Sequence, residues 1–115
     1  MGHFSTIYGY IQIHLSDFDE SLSYVEQQKL NQKFGAKFVC GHHINERSGF
    51  ATLAICGELK EYHDDNPSEF IDSFYEFLEP IEGICCTLCF DSELGIYPPQ
   101  LKYVRQDDTW LKDPE

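Results

Sequence analysis

The chain has 115 residues, 42% of them hydrophobic, including nine Phe, seven Tyr and one Trp. That is the length of one domain, with enough apolar material for a core that needs no staples. Twenty Asp and Glu face eight Lys and Arg, a formal charge of −12, which argues against nucleic acid and anionic membranes as partners, since both are gripped by Lys and Arg. No apolar run approaches ~18 residues, and no basic segment leads into an apolar stretch at the start. The expectation is one globular domain over residues 1–115, acting in the cytoplasm.

Residues 4–15, FSTIYGYIQIHL, alternate with the period of a strand. Ile7, Gly9, Ile11, Ile13 and Leu15 fall on one face; Tyr8, Tyr10, Gln12 and His14 fall on the other. Ser16 to Glu20 then supply caps and first-turn acids for a helix over 20–34, with Gly35 as its stop. Residues 37–44 and 49–59 read as two strands joined by Asn45-Glu46-Arg47-Ser48, a hairpin-length loop. The second is apolar on both faces from Phe50 to Cys56, as suits a central position.

After a loop from Lys60 to Asp65, Asn66-Pro67-Ser68-Glu69 sets an N-cap, a proline at the first helical position and a glutamate two residues on. Phe70, Ile71, Phe74, Phe77 and Leu78 then form the apolar stripe of a helix ending before Pro80. Residues 83–90 read as a buried strand and Leu101 to Val104 as a last, edge-like one, held back by Pro98-Pro99. The tail from Gln106 is polar, with Trp110 and Leu111 as a hydrophobic anchor. The order is β-α-β-β-α-β-β, which predicts an α+β two-layer sandwich: a mainly antiparallel sheet with two helices on one face. The other face is then at least partly open, and alternation alone leaves undecided which face that is.

Five cysteines, three of them within Cys85, Cys86 and Cys89, read as reduced, small core hydrophobes. A zinc site drawing on Cys40, His42, His43, Cys86 and Cys89 is the metal alternative. Its weakness is geometric, because positions three apart on a strand face opposite sides: Cys86 goes with Ile84, Leu88 and Phe90, and Cys85 and Cys89 with Thr87. The same geometry disfavours a thioredoxin-like motif, whose cysteines open a helix. No nucleophile elbow, P-loop or dinucleotide fingerprint occurs, and His42-His43 reads as an exposed pair before a turn. The expectation is no enzyme activity, no metal and no cofactor.

The acids carry more information. Glu69, Asp72, Glu76 and Glu79 follow a helical ridge away from the Phe stripe, Asp64 and Asp65 lead into it, and no Lys or Arg lies between Glu61 and Asp91. Like charges at these spacings cost a few tenths of a kcal/mol each. They serve either solvation or the steering of a cationic partner. Calcium lacks its loop motif; Asp17-Phe18-Asp19 is a fragment of one.

The strand Ile7-Tyr8-Gly9-Tyr10-Ile11-Gln12-Ile13, with the closing stretch Leu101 to Asp108 and Trp110 beyond it, resembles small bacterial immunity proteins of polymorphic or contact-dependent inhibition toxin systems. The resemblance implies an α+β inhibitor that binds its cognate protein toxin, often by occluding a nuclease site. It assigns no catalytic residues. A basic toxin is the partner that carboxylates standing in for phosphates would suit. The partner-binding residues expected are Tyr8, Tyr10, Asp64, Asp65, Glu69, Asp72, Glu76 and Glu79. Another acidic inhibitor, a phage anti-defence or DNA-mimic protein, is the alternative, although the ridge is only one helix long.

Overall fold

In a computed structural model describing residues 3–33, 38–61, 67–93, 95 and 97–112, the opening alternation becomes β1 (His3–His14), third of six strands in one sheet. The remaining strands are β2 (Val39–Asn45), β3 (Phe50–Glu61), β4 (Cys85–Ser92), β5 (Gln100–Gln106) and β6 (Thr109–Lys112). The spatial order is β2-β3-β1-β4-β5-β6, and every pairing is antiparallel. The α+β sandwich is therefore present, with one strand more than the sequence indicates.

The extra strand comes from the tail. Asp107 and Asp108 adopt φ of 52° and 62°, the doubly left-handed turn whose twist matches a two-residue hairpin, and the chain folds back along β5. Leu101 to Val104 is thus interior to the sheet, because β6 takes the edge. Asp tolerates this conformation better than most residues, but Asp-Asp is a weaker hairpin signal than Asn-Gly.

The helix expected over 20–34 begins earlier and breaks earlier. A 3-10 turn (Leu15–Asp17) leads into α1 (Phe18–Gln28), Lys29 turns left-handed at φ 49°, and a short α2 (Leu30–Lys33) follows. That break brings Leu30, which drifts off the α1 stripe, back into the core. Gly35 and Asn66 lie outside the described residues. The second helix, α3, spans Pro67–Leu78.

The helices cover the isoleucine face of β1. Ile7, Ile11 and Ile13 are fully buried, together with Leu53, Ile55, Leu88 and Leu101 on neighbouring strands and Val25, Phe74, Phe77 and Leu78 on the helices. Burial on this scale contributes about 1.5–3 kcal/mol per large side chain. Gly9, between the two tyrosines, aims its absent Cβ into the Thr87 carbonyl and Leu88 of β4, so no side chain fits there. The layers are fastened by polar contacts: Tyr24 donates from its hydroxyl to the Phe77 carbonyl at 2.9 Å, joining α1 to the end of α3. Beyond α3, the Ile81 carbonyl accepts from Arg105 Nη1 at 2.7 Å and Trp110 Nε1 at 2.9 Å, which holds the last hairpin against the helix layer.

Candidate functional site

Strand parity and register together define the uncovered face. Thr6, Tyr8, Tyr10, Gln12 and His14 of β1 point away from the helices. In register, Tyr8 lies between Cys56 and Cys89, and Tyr10 between Ala54 and Thr87. Both tyrosines are exposed, at 52% and 42%, on one of the two middle strands of the sheet.

Beside them runs a groove of about 660 Å³ whose lining includes Tyr8, Tyr10, Gly41, Ala54 and Cys56. It exists because β2 and β3 place small residues there: Gly41 stands opposite Ala54, and a Cβ built on Gly41 meets nothing within 4 Å. A second cleft of about 330 Å³ lies on the other side of Tyr10, with Thr87, Cys89, Gln100 and Lys102 among its lining. There Gln100 Nε2 donates to Cys89 Sγ at 3.7 Å. On the same face the carboxylates of Glu58 and Asp91 flank Thr6 across β1 in register. The uncovered surface is thus a shallow, ring-lined and mostly uncharged strip with acids at one end and Lys102 beyond Tyr10.

The expected partner-binding residues do not come together. Tyr8 and Tyr10 lie on the uncovered sheet face, whereas α3, whose Phe70 and Phe74 pack on Phe90 and Tyr103, presents exposed Glu69, Asp72, Glu76 and Glu79 from the opposite layer. Asp64 and Asp65 fall outside the described residues. The molecule is 22 Å through its thinnest axis, well beyond the screening length of about 8 Å at about 0.15 M salt. One flat partner cannot touch both sets.

Nucleophile and metal chemistry find little support in the geometry. Cys86 is buried beside Leu88 and Phe90, and Cys89 faces the other way, as strand parity requires. Burial pushes the Cys86 thiol up, with Cys85 adding to the effect. Burial also raises Cys85, and Cys40 is raised by burial, then by Glu26 and Cys56. All three shifts disfavour the thiolate, the opposite of an activated cysteine. His42 and His43 are in strand β2 rather than a loop, facing opposite sides; the His42 ring lies 5.2 Å from that of Phe18. Among the described residues, no three His, Cys, Asp or Glu side chains form a group able to hold a metal ion, and no helix is long and apolar enough to cross a membrane.

Sequence reasoning finds the tyrosines but misses the groove. Ala54 and Cys56 look like core residues in an apolar run, and their place on the uncovered sheet face, with Gly41 opposite Ala54, turns them into a surface. No family model, curated protein or solved structure matches the chain.

Proposed function

We propose that this protein is a bacterial immunity protein, acting in the cytoplasm, that binds and neutralises a basic protein toxin, a nuclease being the partner its charge suits best, and catalyses no reaction itself. The observation that carries the reading is the uncovered sheet face: two exposed tyrosines beside an apolar groove, on a body of net charge −12. Exposed aromatic patches of this kind are where interface energy concentrates, because Tyr packs a large area at low entropic cost. Glu58 and Asp91 offer charge-assisted hydrogen bonds to Lys or Arg at the edge of the same face. The α3 ridge then forms no contacts and adds to the field that steers a cationic partner at low ionic strength, where screening reaches across the molecule.

The test is co-purification from the native host with the product of the neighbouring gene, then binding kinetics on the isolated pair. Tyr8→Ala with Tyr10→Ala should speed dissociation by at least tenfold, the ~1.4 kcal/mol scale of a hot-spot pair. Glu69→Lys, Asp72→Lys and Glu76→Lys together should slow association and flatten its salt dependence, leaving dissociation unchanged. Faster dissociation in the ridge variant alone would make the helix layer the interface instead. A turnover activity lost with one cysteine or histidine would end the reading altogether.

A further inference from the structure

The sheet has two edges, and they are not alike. At one, β6 is four residues long and carries Lys112, a short, charged edge of the kind that discourages strand addition. At the other, β2 presents Val39-Cys40-Gly41-His42-His43-Ile44-Asn45, seven residues without a proline or an Asp, Glu, Lys or Arg. Among the described residues no strand pairs with its outer side. In a chain where nearly a quarter of residues are charged, the strand itself puts no formal charge in the way of a second copy.

We infer that β2 pairs antiparallel with β2 of a second copy of this chain about a two-fold axis at His42, joining the two sheets into one of twelve strands. Because antiparallel partners share a face, an axis normal to the sheet must pass through a residue that meets its own counterpart. His42 is the centre of the strand, and that choice pairs all seven positions. Its side-chain oppositions are complementary. Gly41, over whose Cα there is open space, stands opposite His43 of the other copy, so the ring can lie in the gap. Cys40 stands opposite Ile44.

Ile44 is 39% exposed on the helix side of β2, since it pairs with buried Ala51. In this register it meets the mouth of a groove of about 380 Å³ between α1 and β2, lined in part by Leu22, Val25, Phe38 and Cys40. The pairing thus sets that isoleucine against Leu22, Val25 and Phe38 in a groove that also carries Glu26 and Lys29, and it satisfies the outer backbone groups of β2. It leaves Tyr8 and Tyr10 uncovered on both copies, with the His43 ring taking only the Gly41 end of the groove beside them, and its test reads self-association alone, so its failure is distinct from failure of the toxin reading.

The register can be tested directly, because antiparallel Cα pairs at about 4.5–5.5 Å lie within disulfide range. Ile44→Cys, oxidised with glutathione disulfide at mildly alkaline pH, should give a covalent dimer through native Cys40 of the other copy. The double variant Ile44→Cys/Cys40→Ser should not, and neither should Asn45→Cys, which faces Val39. Without oxidant, light scattering of the unaltered chain up to about 1 mM should report twice the 13.4 kDa of one chain. Ile44→Lys should return it to a single mass with unchanged far-UV circular dichroism. A monomer throughout that range overturns the inference, as does a dimer that survives Ile44→Lys or fails to cross-link through Cys40.

Discussion

Gly83 and Trp110 provide a quantitative check on how the last hairpin is held. The indole is 1% exposed. A Cβ added at Gly83 would lie 2.9 Å and 3.0 Å from its ring carbons Cζ2 and Cη2, and 3.1 Å from the Gln12 carbonyl oxygen. Gly83→Ala should therefore overpack the site at a cost of about 1–3 kcal/mol, offset in part by about 0.4–1 kcal/mol from a stiffer unfolded chain. Trp110→Phe removes those two carbons and the indole N–H. The Ile81 carbonyl keeps its bond from Arg105, so the acceptor is not stranded and the loss should be about 1–2 kcal/mol, most of it packing. In the double variant the alanine methyl no longer meets the ring; only the Gln12 oxygen remains. The double should be more stable than the sum of the singles predicts, by about 1 kcal/mol. Urea unfolding followed by far-UV circular dichroism, with midpoints converted through a common slope, resolves this. Additivity within about 0.3–0.5 kcal/mol would show that ring and glycine do not share the space, and the account of the hairpin anchor would be wrong.

Alkaline pH should weaken the fold. Burial raises Cys86 above its ordinary 9.0 and carries Tyr103 from 10.0 to about 12, so the unfolded chain loses these protons first. The contribution of these two groups should be constant below pH 9 and fall from there, most steeply between 10 and 12; Tyr103→Phe should shallow the upper part of a plot of urea midpoint against pH. Thiol labelling followed by mass spectrometry should modify exposed Cys56 first and buried Cys86 last, and equal rates would contradict the strand-face assignment of β4. In dilute solution, where the chain is a single copy, Gly41→Leu should fill the groove beside Tyr8 with no loss of thermal stability, since within one copy nothing lies within 4 Å of its Cβ. A melting temperature lower by more than about 4 °C, roughly 1 kcal/mol, would show that the space is occupied.

Local periodicity made most of the strands and the α3 stripe legible: the alternation through Ile7 to Ile13, the Pro67 start and the Phe70 to Leu78 spacing depend on neighbours a few residues apart. It also separated Cys86 from Cys89, because strand parity is a local property. Charge was fixed by composition alone. What needed the tertiary structure was everything set by pairing between distant segments. Alternation says that two faces exist but not which one the helices bury, because Tyr8, Tyr10 and Ile7, Ile11 could each face a core; packing of Val25, Phe74 and Phe77 decided it. The sixth strand was hidden because Thr109 to Lys112 reads as polar until its backbone pairs with β5 and Trp110 reaches the Ile81 carbonyl. The groove arises only when Gly41 is placed opposite Ala54. The separation of the α3 carboxylates from the tyrosines likewise comes from stacking two layers, a distance that no linear spacing encodes.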